Sequence, residues 1–329
     1  MIISRTPFRV SFVGGGTDLS SFYEEEDGQV LSATIDKYIY VTVKRQLDIV
    51  EHRFRISWSR IELRDRVEDI EHPIVREALR LMEIDFPIEI TTFADIPAQT
   101  GLGSSSAFAV GLLHALFALR GRTVTKATLA SLAAKIEIEI LKRNIGAQDH
   151  YASAYGNLNV FTFRRDGSVL VEPVFYRPDL KRRIERNLML FKTALKRDAS
   201  EVLRVQRDET RRKFDVLRQM RDLVPKLNEV FSREDGDTDE FGKILHDGWM
   251  LKRSLTSSIS NGEIDRLYDR ALEAGALGGK LLGAGSGGFL LFYVPEERQG
   301  DVKAALSELY QQPFRFDEAG SRITYYDER

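Results

Sequence analysis

Apolar and polar side chains alternate near the start of the chain, where Ile3, Val10, Phe12 and Val13 are interleaved with Arg5 and Arg9. This pattern predicts a first strand over residues 2–13. Residues 30–35 and 38–43 predict two more strands on either side of Asp36-Lys37. Residues 54–63 predict another strand and residues 74–83 a short helix. Ile88, Ile90 and Thr92 then alternate with Glu89 and Thr91, again strand-like, and Phe108, Leu112, Leu113, Leu116 and Leu119 recur at helical spacing. Between them lies a glycine-serine loop, so the helix should begin at Ser104 or Ser105.

Leu129, Leu132, Ala133, Ile136 and Ile140 predict an amphipathic helix over 125–142, on which Glu137 and Glu139 lie. A short glycine-bounded helix follows within 146–156, with Asp149 in its first turn. Residues 158–163 and 168–175 read as a hairpin around Asp166-Gly167, and a boundary follows at 176–179. The second half opens with a strand at 188–191. It continues with a long charged helix or helical pair over 199–231, a helix over 237–259, a strand at 289–294, a helix over 296–310 and strands near 313–317 and 321–326. At 329 residues the chain is long enough for two domains, and these readings divide it into 1–177 and 178–329.

A net charge of −2 gives no electrostatic reason to expect nucleic acid or an anionic membrane as partner. The absence of cysteine excludes disulfides, thiolate nucleophiles and cysteine zinc sites. The five histidines (His52, His72, His114, His150, His246) show no zinc-type pair. The first residues lack the basic stretch and long apolar core of a signal peptide. No apolar run approaches the roughly 18 residues of a membrane span. A cytoplasmic protein is the expectation.

Three glycine-rich stretches stand out. The first, Gly14-Gly15-Gly16-Thr17-Asp18, suits either a tight turn or a backbone wrapped closely around a polar ligand, with Asp18 accepting from hydroxyls. The second, residues 97–107, runs Pro-Ala-Gln-Thr-Gly-Leu-Gly-Ser-Ser-Ser-Ala. Gly101 and Gly103 allow close approach of a ligand. The free N–H groups and dipole of the following helix favour an anion such as a nucleotide phosphate. A serine-capped helix after a flexible turn is the alternative. It is not a P-loop, because no Gly-Lys-Ser/Thr follows. The third, residues 283–288, matches G-x-G-x-x-G in letters. A strand follows it rather than a helix, so the dinucleotide-binding reading fails and a turn packed against a loop or ligand is left. Asp149 sits where a positive helix end favours an ionised carboxylate, or simply caps that helix.

Taken together the three stretches resemble the GHMP kinases, the family of galactokinase, homoserine kinase, mevalonate kinase and phosphomevalonate kinase. The matching runs are residues 7–18, residues 97–107 and residues 280–288. Within the family the chain is similar to the D-glycero-D-manno-heptose 7-phosphate kinases. The shared features are Phe-x-Gly-Gly-Gly-Thr-Asp-Leu at 12–19, Ser-Ala-Thr-Ile-Asp-Lys-Tyr at 32–38 and Gly-x-Gln-Asp leading to Ala-Tyr-Gly across 146–156. The Gly-Glu-His-Thr-Asp of galactokinases is absent, whereas fucokinases share a Gly-Gly-x-Thr-Asp variant.

The resemblance implies a two-domain α+β GHMP kinase fold: an N-terminal domain like ribosomal protein S5 domain 2 and a ferredoxin-like C-terminal domain. It implies phosphoryl transfer from ATP with Mg²⁺ to an alcohol group of a small sugar phosphate, the anomeric hydroxyl of heptose 7-phosphate. Pro97, Gly101, Leu102, Gly103, Ser104, Ser105, Ser106, Gly285 and Ser286 are then expected around ATP. Ser105 and Glu137 are expected on Mg²⁺, with Asp149 and Arg9 catalytic. Gly14, Gly15, Gly16, Thr17, Asp18, Gly287 and Arg197 are expected on the sugar phosphate. Lys37, Lys192 and Lys196 are further candidates for its phosphate. A fucokinase or other sugar 1-kinase is the alternative enzyme, and a non-catalytic sugar sensor the alternative class. The chain departs from these relatives at Lys192 and Ala194, where they tend to carry Tyr and Gly, and at Lys142, where Gly is frequent and a helix end is expected.

Overall fold

The computed structural model describes residues 1–193, 212–285 and 287–327. The first strand, β1 (Ile2–Val13), forms as its pattern predicts. A short helix α1 (Ser20–Tyr23) leads into β2 (Gly28–Arg45). The two strands expected around Asp36-Lys37 are one continuous strand of 18 residues. The physical reason lies in its neighbours. β1 runs along one edge of β2 for nearly its whole length, and the register jumps from Pro7↔Tyr38 to Phe8↔Ile35, so Asp36 and Lys37 bulge out instead of turning back.

The span 54–63 is a tight hairpin, β3 (Phe54–Ser57) and β4 (Ile61–Arg64), rather than one strand. Then come α2 (Pro73–Leu81), β5 (Ile88–Ala94) and α3 (Ser104–Leu119). Helix α4 (Lys126–Ala134) is capped by Thr125, whose hydroxyl accepts from Thr128 N. It passes without a break into a π-helical turn, Lys135–Ile140. Lys142 follows with φ +53°, a left-handed conformation that explains why glycine suits this position. Helix α5 (Gln148–Tyr155) and the hairpin β6 (Leu158–Phe163) and β7 (Val169–Pro173) complete the first half.

The second half contains α6 (Pro178–Asn187), β8 (Leu188–Lys192), α7 (Phe214–Val230), α8 (Asp239–Arg253), α9 (Gly262–Glu273), β9 (Gly278–Leu281), β10 (Phe289–Tyr293), α10 (Gln299–Ala305), β11 (Tyr310–Gln311) and β12 (Arg322–Tyr326). Helices α6 and α9 were not read from the sequence. Both carry local signals: Pro178 in the first turn of α6, and Asn261 capping α9 by accepting from Glu263 N and Ile264 N, each at 3.0 Å. The strand expected near 313–317 is only a single bridge, Ile35↔Phe316. Residues 194–211 of the expected helical stretch lie outside the described residues.

Eight strands form the first sheet in the order β12-β1-β2-β5-β3-β4, with β6 and β7 branching from β2; a second sheet has the order β11-β8-β10-β9. Helix α3 is apolar on all sides and buried, packed on β1 and β2 beneath α4 and α5. Its approach to the sheet is close: Ser4 Oγ donates to Gly111 O at 2.7 Å. One apolar core runs continuously from the first sheet through Leu223, Phe241, Leu245 and Leu291 of the second half, while Trp249, Tyr268 and Phe292 centre a second cluster. We propose a domain boundary near residue 177, just before α6, with the tail returned to the first domain. Asp317 N donates to Thr34 O, and β12 pairs with β1.

The loop after β5 and the loop between β9 and β10 meet backbone to backbone. A Cβ on Gly101 (φ +82°) would collide with Leu282 O, and one on Gly283 (φ +78°) with Gly101 itself. Gly101→Ala should therefore destabilise the protein by about 2–3 kcal/mol. Gly121→Ala, at φ +64° with open space around it, should cost only about 1 kcal/mol. Urea unfolding of both variants checks this. Equal costs would show that the two loops do not press on each other in solution.

Candidate active site

Arg9 lies on the sheet face that packs against the loop after β5, and its side chain is 5% exposed. Its backbone N–H donates to Leu102 O at 3.2 Å. Its guanidinium makes three bonds of 2.7 Å: Nε to Asp149 Oδ1, Nη2 to Asp149 Oδ2 and Nη1 to Gly101 O. The first two form a planar, charge-assisted fork. Asp149 stands in the first turn of α5, and its side chain keeps 19% exposure. The cation is sealed in while the carboxylate has an open side. Gly103 is part of this geometry, because a Cβ there would come within 3.1 Å of Asp149 Oδ2.

At the start of α3, Gly103 occupies the cap position at φ +77°, no side chain caps the helix, and no acidic residue lies in its first turn. The first N–H groups of Ser104, Ser105 and Ser106 are thus left for another acceptor. The fit to a phosphate is good: open amides, glycine at 101 and 103 and no acidic residue in the helix's first turn. Leu102 and Ser106 turn their side chains inward, so only their backbones can take part, and Pro97 lies exposed at the loop's start with its carbonyl accepting from Thr100 Oγ1.

The π-helical turn brings Glu137 inward, where it is fully buried. Glu139, on the same turn, is exposed. Ser105 Oγ donates to Glu137 Oε1 at 2.6 Å, and Arg143 Nη1 donates both to Ser105 Oγ at 2.7 Å and to Glu137 Oε1. On the other side His150 Nε2 meets Glu137 Oε2 at 2.9 Å. An ionised carboxylate only accepts, so Nε2 carries the proton. Burial by itself would raise the pKa of Glu137. The hydrogen bond and charge of His150, the Ser105 hydroxyl and the Arg143 charge reverse this and hold it at about 2. Among the described residues no group of three or more His, Cys, Asp or Glu side chains could hold a metal ion. A hydroxyl and one ionised carboxylate are nonetheless a fit donor pair for Mg²⁺, which keeps waters and shares phosphate oxygens.

The first glycine stretch wraps partly around its own chain. A Cβ on Gly14 would strike Gln29 O, and Thr17 is fully buried with its hydroxyl donating toward Gly14 O and Gln29 O. Gly15 and Gly16 remain partly exposed. Asp18 is buried beside them. Its Oδ1 accepts from Gly16 N at 2.9 Å and its Oδ2 from Gln148 N at 3.3 Å. Burial pushes its pKa up, against the Gly16 amide, and the nearby Asp149 charge adds to the rise.

The third stretch closes on the second. Thr100 O lies where a Cβ of Gly288 would sit, Thr193 N donates to Gly288 O at 2.8 Å, and Gly285 (φ +128°) presses on Ile259. Gly287 is partly exposed beside them. Ser286, Lys196 and Arg197 lie outside the described residues. Lys37 is engaged with Asp36 at 2.8 Å, and Lys192 ends β8 opposite Phe289.

These features match known proteins. The chain fits the GHMP kinases N terminal domain over residues 73–157 and the GHMP kinases C terminal domain over residues 220–312. It is 30% identical over 97% of its length, and 97% of the relative's, to the D-glycero-alpha-D-manno-heptose 7-phosphate kinase of Campylobacter jejuni. The chain belongs to the GHMP kinase family. Its fold superposes on a D-glycero-D-manno-heptose 1-phosphate kinase from Bacteriodes thetaiotaomicron with a TM-score of 0.81, covering 99% of this chain and 100% of that one at 24% identity. A Streptococcus pneumoniae phosphomevalonate kinase in complex with phosphomevalonate and AMPPNP superposes with a TM-score of 0.77 at 15% identity, covering 96% of this chain and 100% of that one. The protein is therefore an ATP-dependent kinase with the two-domain GHMP kinase fold. No helix among the described residues is long and apolar enough to cross a membrane.

Four side chains of this kinase's site carried no role in the sequence reading: Arg143, His150, Lys252 and Lys280. Lys252 ends α8 and donates to Gly283 O; burial, then the like charge of Arg9, pushes its pKa down to about 8. Lys280 is buried with its Nζ donating to Phe12 O at 2.7 Å, and burial pushes its pKa far down. Lys252 was legible in principle, since Phe241, Leu245, Trp249 and Lys252 share the buried face of α8 at spacings of three and four. Arg143 and His150 reach Glu137 only through the loop that follows the π-turn, which no periodicity reports.

Glu137 links pH to stability. Its folded-state pKa of about 2 lies below its ordinary 4.5, so its ionised form stabilises the fold above 4.5 and that contribution is lost as pH falls toward 2. The stability advantage of the native protein over Glu137→Gln should be largest at neutral pH and shrink through this window. Urea unfolding at a series of pH values measures it, and a gap independent of pH would contradict the assignment.

Proposed function

We propose that this kinase transfers the γ-phosphoryl group of ATP to the anomeric hydroxyl of D-glycero-D-manno-heptose 7-phosphate, giving the 1,7-bisphosphate in the cytoplasm. The observation that carries the reading is the buried Arg9–Asp149 fork beside the uncapped start of α3, with the carboxylate open on one side. Phosphoryl transfer of this kind depends on positioning and charge neutralisation more than on covalent chemistry.

The backbone of residues 101–106, starting beyond Pro97, cradles the phosphates, with Gly285 and Ser286 assigned to ATP and Gly287 to the sugar phosphate. Ser105 and Glu137 would hold Mg²⁺, which when bound neutralises charge on the phosphates. Asp149 takes the proton of the sugar hydroxyl as its oxygen bonds to phosphorus and the bond to the ADP oxygen breaks. Arg9 keeps that carboxylate oriented and ionised, and Lys252 adds positive charge where the phosphoryl group passes. Gly15, Gly16 and Asp18 hold sugar hydroxyls, with Gly14 and Thr17 fixing their loop. The 7-phosphate needs a cation, and Arg197 is the assigned partner. The choice of sugar is supported by 30% identity across 97% of the chain to a heptose 7-phosphate kinase.

ATP consumption over a panel of heptose 7-phosphate, heptose, fucose, mannose and galactose tests the substrate. The heptose 7-phosphate should be preferred by at least tenfold in kcat/KM, and a preference for any unphosphorylated sugar would displace this reading. Asp149→Asn should lower kcat by about 10² to 10⁴ with little change in KM, because the proton moves only during reaction. A kcat within about threefold of the native value would reduce Asp149 to a structural partner of Arg9.

A further inference from the structure

Arg143 lies in the loop between the π-turn and α5, its backbone N–H donating to Glu137 O at 2.9 Å. Its side chain is 34% exposed, whereas the carboxylate that it reaches is fully buried. A partly exposed cation thus extends into a sealed anion. One nitrogen, Nη1, is bonded at once to the Ser105 hydroxyl and to Glu137 Oε1, two oxygens that are themselves 2.6 Å apart. The other carboxylate oxygen is fixed by His150.

Those two oxygens are the pair assigned above to Mg²⁺. At Mg–O distances of about 2.0–2.1 Å, two neighbouring ligands of an octahedral ion lie about 2.9 Å apart. The pair therefore needs to open by only a few tenths of an ångström to accept the ion. The guanidinium nitrogen already occupies the position between them, so the ion and Arg143 cannot share it. Two positive charges on the same two oxygens would repel strongly in a water-poor setting.

We propose that Arg143 is a built-in placeholder for the divalent cation. In the nucleotide-free protein it holds Ser105 and Glu137 in ligand geometry and neutralises the buried carboxylate. It swings toward solvent when the metal enters with its phosphates, whose negative charge compensates the exchange. Free metal alone binds poorly because it must evict a cation without that compensation. Arg143 is thus a positioning residue that couples metal binding to nucleotide binding. This rests on the assignment of Ser105 and Glu137 as metal ligands.

The test is Mn²⁺ binding, followed by electron paramagnetic resonance of the free ion on the intact protein without nucleotide. Arg143→Gln should bind Mn²⁺ at least tenfold more tightly than the native protein, and Mn²⁺ alone should raise the melting temperature of the variant but not of the native chain. Unchanged or weaker affinity overturns the proposal. Should the Gln variant not be recovered folded, Arg143→Lys, which keeps the charge but loses the guanidinium nitrogen that bridges the two oxygens, should bind at least threefold more tightly, and equality with the native protein overturns it. The ligand assignment is checked separately with Glu137→Gln in the presence of AMPPNP. Weakened Mn²⁺ binding there supports the ligands, and any failure of the Arg143 variants then falls on the placeholder alone. Unweakened binding removes the ligands and the placeholder together.

Discussion

A guanidinium buried on a strand has to be neutralised and hydrogen-bonded by whatever surrounds it, and Arg9 imposes that demand on this kinase. Taking a charge out of water costs several kcal/mol, and a partner recovers that cost only with good geometry. Asp149 supplies the fork from α5, and Gly101 supplies a carbonyl from the loop after β5. One cation thereby fixes two elements far apart in sequence relative to β1. Well-packed apolar side chains would stabilise such a core at least as well. The arrangement is understood better as orientation of a carboxylate than as a source of stability.

The same economy governs the glycine stretches. Gly101, Gly283 and Gly288 are places where one backbone lies directly on another. A side chain there would separate the loop at the start of α3 from the loop between β9 and β10. Glycine freedom in this protein therefore serves contact between domains as well as openness to a ligand. The first stretch shows the distinction within five residues, for Gly14 and Thr17 are filled by the neighbouring strand β2 while Gly15 and Gly16 stay open.

Charge at the site is finely divided. Arg9 pairs with Asp149, Lys252 feels the charges of both Asp149 and Asp18, and Lys280 lies behind them within reach of the charges of Lys252 and Arg9. Burial drives Asp18 upward and the two lysines downward in pKa, toward the neutral form in each case. Glu137 is the exception: His150, Ser105 and Arg143 saturate it so fully that it stays an anion. A buried anion with a displaceable cation is a different device from a buried acid that has lost its charge, and both occur side by side here.

Local chemistry was legible in the sequence. The strand-loop-helix unit around residues 88–119, the first-turn position of Asp149 and the three glycine stretches depend on neighbouring residues, whose periodicity and turn preferences act within a few positions. The contrast at Asp36-Lys37 shows where that ends. The local pattern breaks there as it would at a turn, but the ladder to β1 carries the strand through as a bulge. Glu137 makes the point for the site: its helix was evident, yet a π-turn, a histidine thirteen residues on and an arginine six residues on decide that it is buried and ionised. Sequence by itself determined most of the elements and the residue types that are candidates for the chemistry. The tertiary structure decided which of them share a proton, a cation or a loop, because burial and charge pairing act through space and leave no period along the chain.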